Sequence, residues 1–151
     1  MIQLYKRLVS VGNLLQPFFL FAIRLFWGYS FFTTGLGKLL HISQTETFFR
    51  SLHIPFPLFH SYLVGGIECI GGVCFVLGLG SRLVAIPLAI SMCVALFAAH
   101  SHGASNVYDN LQEMLIQPPF TYMFVSLVIF FFGPGLFSLD AALERWFTKS
   151  K

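Results

Sequence analysis

The sequence predicts an all-α, polytopic membrane protein in which four transmembrane helices form a bundle within a single domain, residues 1–151. Hydrophobic residues make up 56% of the 151 positions and charged residues only 10%, whereas an average soluble domain carries about 25% charged residues. Long apolar runs alternate with short polar segments, and none of the runs shows the period-2 alternation of barrel strands. Because backbone groups in hydrocarbon need internal hydrogen-bond partners, these runs are predicted to be helices.

The predicted spans cover residues 18–40, 58–79, 83–99 and 120–137. A transmembrane helix needs roughly 20 mostly apolar residues, so four spans leave room only for short loops and tails. The first span follows Pro17 and is expected to stay uncleaved, although Lys6 and Arg7 precede it as they would in a signal peptide.

Turn and loop residues separate the predicted spans. Residues 41–57 are polar and then proline-rich, which predicts a loop that contains a short interfacial helix at 46–52. Residues 78–82 form a glycine-rich turn, and the polar residues 101–119 leave room for a short surface helix. After the fourth span, residues 140–146 have the pattern of a short amphipathic helix that Ser138 can cap, and Trp146 suits the membrane interface.

The distribution of lysine and arginine predicts that both termini lie in the cytoplasm. The chain has nine such residues; one, Arg24, lies within the first span, and the other eight divide six to two between the sides, so the richer side is predicted to be cytoplasmic. The six are Lys6, Arg7, Arg82, Arg145, Lys149 and Lys151, and the two are Lys38 and Arg50. The net charge of +3 suits anionic lipid headgroups of the bilayer, and no basic stripe indicates nucleic-acid binding.

The cysteines and histidines show no recognisable disulfide or metal pattern. Cys69, Cys74 and Cys93 lie within apolar runs and are predicted to be buried, reduced side chains. His100 and His102 end the third span about 200° apart around a helix, and the chain has no HxxxH or HExxH pattern, so no metal site is predicted. Two interpretations of His100 remain open: it is either an ordinary interfacial histidine or a group that relays protons or binds a quinone.

Two ionisable residues, Arg24 and Glu68, are expected deep within the membrane. A charge at the bilayer centre costs about 2.5 to 3.5 kcal/mol, so both side chains are expected to face the bundle interior and to pair with each other. Each shares a helix face with glycines, which allow two helices to approach closely. These glycines are Gly28 and Gly35 near Arg24, and Gly65 and Gly72 near Glu68.

Two interpretations of this expected pair remain open. It is either a structural ion pair that only fixes helix packing, or part of a polar pocket for a headgroup, a quinone carbonyl or a proton. In the second interpretation, Arg24 holds an oxygen by forked hydrogen bonds and Glu68 exchanges a proton. Lys38, near the far end of the first span, is a further ligand-binding candidate.

Three stretches of the chain, in order, are similar to the motifs of one known family. They are IRLFWGYSFFTTGLGKLLH at residues 23–41, GGIECIGGVCFVLGLGSRLVAIPLA at 65–89 and GPGLFSLDAAL at 133–143, and together they resemble the DoxX family. The resemblance implies a small four-helix protein of the bacterial inner membrane with a link to oxidoreductases, because the family includes a subunit of a thiosulfate:quinone oxidoreductase. The family's recurring polar positions fall here on Arg24, Lys38, Glu68, Arg82, His100 and Asp140.

The charges and the resemblance lead to three functional hypotheses. The first is a quinone-linked oxidoreductase subunit that binds a quinone between its helices, with Arg24 and Glu68 at the headgroup and His100 as a proton partner. This hypothesis needs a soluble oxidoreductase as partner, because the sequence has no flavin, haem or iron–sulfur motif, and whether the chain itself is an enzyme stays open. The second is a non-catalytic scaffold, chaperone or assembly factor for another membrane protein. The third is a small-solute or ion pathway formed by a homo-oligomer.

Overall fold

The computed structural model describes residues 2–100 and 115–149, and every regular element within them is a helix. In chain order, the helices are α1 (Ile2–Leu40), α2 (Ile42–Ser51), α3 (Pro57–Leu77), α4 (Ser81–His100), α5 (Pro118–Phe132) and α6 (Leu139–Lys149). The predicted all-α class is confirmed for this part of the chain. The possible surface helix within 101–119 and His102 lie largely outside the described residues, as does Lys151.

Three of these helices are long and apolar enough to cross a membrane: Ile2–Leu40, Pro57–Leu77 and Ser81–Ala98. They correspond to the first three predicted spans. The fourth apolar helix, α5, has 15 residues and is therefore about 22 Å long, compared with about 30 Å of hydrocarbon in a typical bilayer. The helix ends at Phe132, five residues before the end of the predicted span, because Gly133 and Gly135 have φ values of 78° and 79°.

Helix α1 begins at Ile2, 16 residues before the start of the predicted span at residue 18. The helix runs through Pro17, which removes only one hydrogen bond of the ladder. Residues 2–16 of α1 are all exposed, and the contact with the rest of the bundle starts near Leu20, which is 5% exposed. We call residues 2–16 the N-terminal arm.

Helices α1 and α3 pack antiparallel along their glycines. A Cβ atom added to Gly72 would lie 2.4 Å from the Phe32 backbone nitrogen, and one added to Gly35 would lie 2.5 Å from the Cys69 backbone nitrogen. These distances leave no space for a side chain, so the two backbones are in direct contact. This packing determines which polar side chains of α1 and α3 meet.

An apolar core joins α1 and α3 to α4 and α5. Phe31 and Phe75 are fully buried, and their rings meet edge to face with centroids 5.8 Å apart. The Tyr122 ring of α5 packs on Phe31 in the same way, with centroids 4.7 Å apart. Leu88 and Ile129, also fully buried, belong to the same cluster. Edge-to-face contacts are a favoured aromatic geometry, and here they link three helices.

The connections broadly follow the sequence prediction. The turn predicted at 78–82 contains Gly78 and Gly80, which have φ values of 70° and 56° and allow α3 to reverse into α4. The predicted interfacial helix at 46–52 is α2, which is longer at its start. The predicted amphipathic helix at 140–146 is α6, and the Ser138 hydroxyl accepts a hydrogen bond from the Ala141 amide at 3.1 Å, as expected for a helix cap.

Candidate functional site

The buried acidic group of the bundle is Glu68, which forms an ion pair with Lys38. Glu68 lies in the middle of α3 and is fully buried. Both of its carboxylate oxygens accept hydrogen bonds from the Lys38 ammonium near the end of α1. The Lys38 side chain keeps 31% of its surface exposed. The pair therefore has a closed acidic end and a basic end that reaches the surface of the bundle.

The position of this pair follows from the glycine packing of α1 against α3. Gly35 contacts the backbone of α3 beside Glu68, since an added Cβ would lie 2.8 Å from the Glu68 Cβ. Lys38 follows Gly35 by three residues and so lies on the same helix face. The Thr34 hydroxyl also lies beside the carboxylate. On the outer side, the Thr45 hydroxyl of α2 donates a hydrogen bond to the Lys38 carbonyl at 3.2 Å, which holds α2 next to the pair.

The expected ion pair between Arg24 and Glu68 is wrong, because Arg24 lies at the C-terminal end of α3, whereas Glu68 lies in the middle of that helix. Arg24 is 1% exposed, and its guanidinium donates to backbone carbonyls. Its Nε bonds the Phe75 carbonyl at 3.0 Å, one Nη bonds the Phe137 carbonyl at 3.0 Å and the other bonds the Pro134 carbonyl. The physical reason is that Phe75 lies in the last turn of α3, where carbonyls lack helical partners, while Pro134 and Phe137 lie outside any helix. An arginine fork satisfies several such carbonyls at once.

Asp140 stabilises the same end of the bundle from α6. Its carboxylate accepts hydrogen bonds from the backbone amides of Gly80 and Ser81, at 2.8 and 3.3 Å. These amides begin α4 and have no partner within that helix. The Asp140 amide in turn donates to the Gly78 carbonyl at 3.0 Å. Arg24 and Asp140 therefore tie α6 and the preceding loop to the α3–α4 turn, which is a structural role.

The remaining predicted site residues are spread over both ends of the bundle. Arg82 lies in the first turn of α4, where its guanidinium packs against Gly133. Gly28 and Gly65 lie in the α1–α3 interface beside Val76 and Leu39, respectively. Helix α4 ends at His100, at the end of the bundle where α1 finishes, but the side chain of His100 lies outside the described residues.

Within residues 2–100 and 115–149, no group of three or more histidine, cysteine or acidic side chains is placed to hold a metal ion. The three cysteines are free thiols and half-buried. The Sγ atom of Cys69 lies 3.7 Å from the Phe32 carbonyl, which is a packing contact within the α1–α3 interface. Among the predicted residues, the ion pair of Lys38 and Glu68 is therefore the best candidate for a site that binds a ligand or transfers a proton.

Sequence reasoning named Lys38 as a candidate but missed it as the partner of Glu68. The available signal was its spacing, because Lys38 follows Gly35 by three residues and thus continues the glycine face of α1. Nothing in the sequence indicated that the carbonyls of Pro134 and Phe137 bind Arg24. They belong to a loop more than 100 residues away in sequence, and backbone acceptors carry no residue-specific pattern.

Comparison with known proteins gives several relatives. A 74-residue stretch is 35% identical to "Putative oxidoreductase CatD" of Bacillus subtilis, covering 49% of this chain and 54% of that protein, so the match spans about half of that relative's length. A longer match, 27% identical over 140 residues, covers 87% of this chain and 87% of an "Uncharacterized protein" of Haemophilus influenzae. An "Uncharacterized membrane protein" of Mycobacterium tuberculosis is 28% identical over 130 residues, or 82% of this chain and 80% of that protein.

No solved structure matches the chain significantly. A family profile described as DoxX matches residues 19–101, which is more than half of the 151 residues. The matched region contains α2, α3, α4 and residues 19–40 of α1, and therefore includes both Lys38 and Glu68. This chain belongs to the DoxX family of membrane proteins.

Proposed function

We propose that this protein is the membrane subunit of an oxidoreductase system and that it binds a quinone at the Lys38–Glu68 pair. The observation that supports this proposal is an ion pair placed between two apolar helices, with its carboxylate fully buried and its ammonium partly exposed. Ionisable groups within membrane spans are costly and commonly mark functional sites. The similarity to a relative described as an oxidoreductase agrees with this reading.

Each member of the pair has a distinct role in the proposed site. The Lys38 ammonium is the group that a molecule in the lipid phase can reach, and it donates a hydrogen bond to a quinone carbonyl. Glu68 orients the ammonium and balances its charge in a medium of low dielectric constant. Reduction of a quinone to a quinol takes two electrons from the partner oxidoreductase and two protons. In this proposal the Lys38 ammonium donates one proton, and the second comes from another donor, for which His100 is the candidate.

One element of the sequence-based hypothesis changes. Arg24 is removed from the proposed quinone site, because its donors are already bound to the carbonyls of Phe75, Pro134 and Phe137. His100 stays a candidate proton partner, since α4 ends at the same end of the bundle as Lys38. The electrons come from a separate oxidoreductase in this proposal, since the sequence lacks a motif for a redox centre of its own.

We also infer the placement of the chain in the membrane. In this proposal, α5 and the residues up to Phe137 complete a fourth crossing of the bacterial inner membrane, and both termini are cytoplasmic. Two arginines support this orientation. Arg82 lies in the first turn of α4 and Arg145 lies in α6, so both are at the end of the bundle that is proposed to be cytoplasmic. Lys38 then lies near the opposite, outer surface.

The test is mass spectrometry of small molecules retained by the protein after purification in mild detergent. We expect the wild type to retain a quinone in a stoichiometric amount and both Lys38→Met and Glu68→Gln to lose it. Lys6→Met and Glu46→Gln are matched controls that remove the same charges from exposed or peripheral positions of α1 and α2, and they should retain the quinone. Absence of quinone from a monodisperse wild type would reject the proposal.

A non-catalytic scaffold is a second candidate, and the N-terminal arm is the observation that favours it. The arm presents large apolar side chains that no described part of the bundle covers, for example Leu4, Leu8 and Leu15, which are 65%, 64% and 56% exposed. A partner helix of another membrane protein can pack on this face. In this case, a partner protein co-purifies with the wild type, deletion of residues 2–16 removes it, and Lys38→Met does not.

A further inference from the structure

A surface groove of about 490 Å³ lies at the end of the bundle where α6 meets the α3–α4 turn. Its lining includes Arg82 and Leu83 from the first turn of α4, Leu136 from the loop after α5, and Asp140 and Glu144 from α6. The volume falls within the range of about 300 to 1,000 Å³ that is usual for small-molecule sites. None of the groups proposed to bind a quinone lies in this groove.

The groove contains one positive and one negative side chain without an ion-pair partner among the described residues. The Arg82 guanidinium and the Glu144 carboxylate take part in no ion pair or side-chain hydrogen bond within the described residues, although both line the same groove. Asp140 differs, because the amides of Gly80 and Ser81 already bind its carboxylate. A ligand therefore meets a free cation and a free anion on opposing elements, α4 and α6.

The groove lies at the level expected for lipid headgroups. Arg82 is the second residue of the candidate span Ser81–Ala98, so it lies at the end of a membrane crossing. Trp146 of α6 is 69% exposed, and exposed tryptophan is typical of the membrane interface. On the walls of the groove, Leu83 and Leu136 are 76% and 59% exposed. They provide apolar surface for acyl chains next to the charged side chains of Arg82 and Glu144.

We propose that this groove binds the zwitterionic headgroup of phosphatidylethanolamine. Arg82 binds the phosphate, for which the arginine fork is well suited, and Glu144 accepts a hydrogen bond from the lipid ammonium. Phosphatidylcholine fits less well because its quaternary ammonium has no N–H to donate. Phosphatidylglycerol also fits less well, because it has no cation to place against the carboxylate of Glu144. This proposal does not depend on the quinone proposal.

The test is native mass spectrometry of the full-length protein in micelles that contain equimolar phosphatidylethanolamine, phosphatidylcholine and phosphatidylglycerol. We expect the wild type to retain phosphatidylethanolamine preferentially. Glu144→Gln should reduce that preference by about fivefold, the effect of losing one partly exposed charged contact. Arg82→Gln should instead reduce the total amount of lipid retained by about fivefold, because all three headgroups carry the phosphate that Arg82 binds. Arg82→Lys should lose less than Arg82→Gln. Arg7→Gln, which removes an exposed arginine from the N-terminal arm, should leave the preference unchanged.

Three results would overturn the proposal. The first is equal retention of the three lipids by the wild type. The second is an unchanged preference in Glu144→Gln, or unchanged lipid retention in Arg82→Gln, when circular dichroism shows the native helix content. The third is a preference for phosphatidylglycerol that depends on Arg82 but not on Glu144, which would indicate a site for a phosphate alone.

Discussion

Lys38 of α1 and Glu68 of α3 form an ion pair in which the carboxylate is fully buried and the lysine side chain remains 31% exposed. Both carboxylate oxygens bind the same ammonium. The pair thus gives both oxygens of the buried carboxylate a hydrogen-bond donor and leaves part of the lysine side chain accessible. Because the carboxylate depends on one donor residue for its charge balance, the stability of the bundle should depend strongly on whether Lys38 is present.

Lys38→Met should destabilise the protein more than the double change Lys38→Met with Glu68→Leu. The single change leaves an unpaired buried carboxylate and should cost about 3 kcal/mol, at the lower end of the range for a broken buried pair because Lys38 is partly exposed. The double change removes both charges and should cost about 1 kcal/mol or less. Thermal unfolding in detergent measures both, with Lys6→Met as the exposed control. A double variant no more stable than the single one would contradict this account.

Arg24→Met should destabilise the α3–α4 end of the bundle by about 3 kcal/mol or more, because it removes the donor of the Pro134 and Phe137 carbonyls and one of the two donors of the Phe75 carbonyl. Arg24→Lys should recover less than half of this loss, since an ammonium on a flexible stem does not reproduce the planar fork. The unfolding midpoint in detergent measures the effect, and Arg7→Met is the matched control. Full recovery by lysine would show that the charge alone matters there.

Gly72→Ala should destabilise the protein by about 1 to 3 kcal/mol, because the new Cβ would lie 2.4 Å from the Phe32 backbone nitrogen and would force α1 and α3 apart. Gly66→Ala is a matched control on the same helix, since a Cβ there meets nothing within 4 Å. It should be neutral or slightly stabilising, because alanine favours helices more than glycine does. Equal unfolding midpoints for the two variants would rule out close packing at Gly72.

Asp140→Ala should increase the rate of amide hydrogen exchange at the start of α4. The change removes the acceptor for the amides of Gly80 and Ser81, and loss of such a cap costs about 1 to 2 kcal/mol. Hydrogen–deuterium exchange measures it directly as faster exchange in a peptide that covers these two amides. Exchange near Glu68 should not change, and faster exchange throughout α3 would indicate global rather than local loosening.

Membrane topology can be tested with single cysteines introduced into a variant that lacks Cys69, Cys74 and Cys93. In spheroplasts, a membrane-impermeant maleimide should label Ser43→Cys in α2 but neither Gln3→Cys nor Thr148→Cys. Both protected positions should become labelled after permeabilisation. Labelling of only one of the two terminal positions in intact spheroplasts would mean an odd number of crossings and would reject the fourth span. Labelling of both would reverse the proposed orientation.

The sequence by itself determined the helical, membrane-embedded character of the chain. The apolar runs identify the three long helices to within a few residues, apart from the arm of α1, because run length and composition are local properties that the bilayer imposes. Turn chemistry at Gly78 and Gly80 and the cap at Ser138 were equally readable, since each depends on neighbouring residues only.

Only the tertiary structure decided which buried charges meet. Arg24 and Glu68 both lie on glycine-lined faces, and nothing in the spacing along each helix shows how far one helix is shifted along the other. The backbone contacts of Gly28, Gly35 and Gly72 determine that shift. They bring Lys38 to Glu68 and carry Arg24 to the end of α3, because backbones in direct contact allow one packing register and the side chains must pair within it.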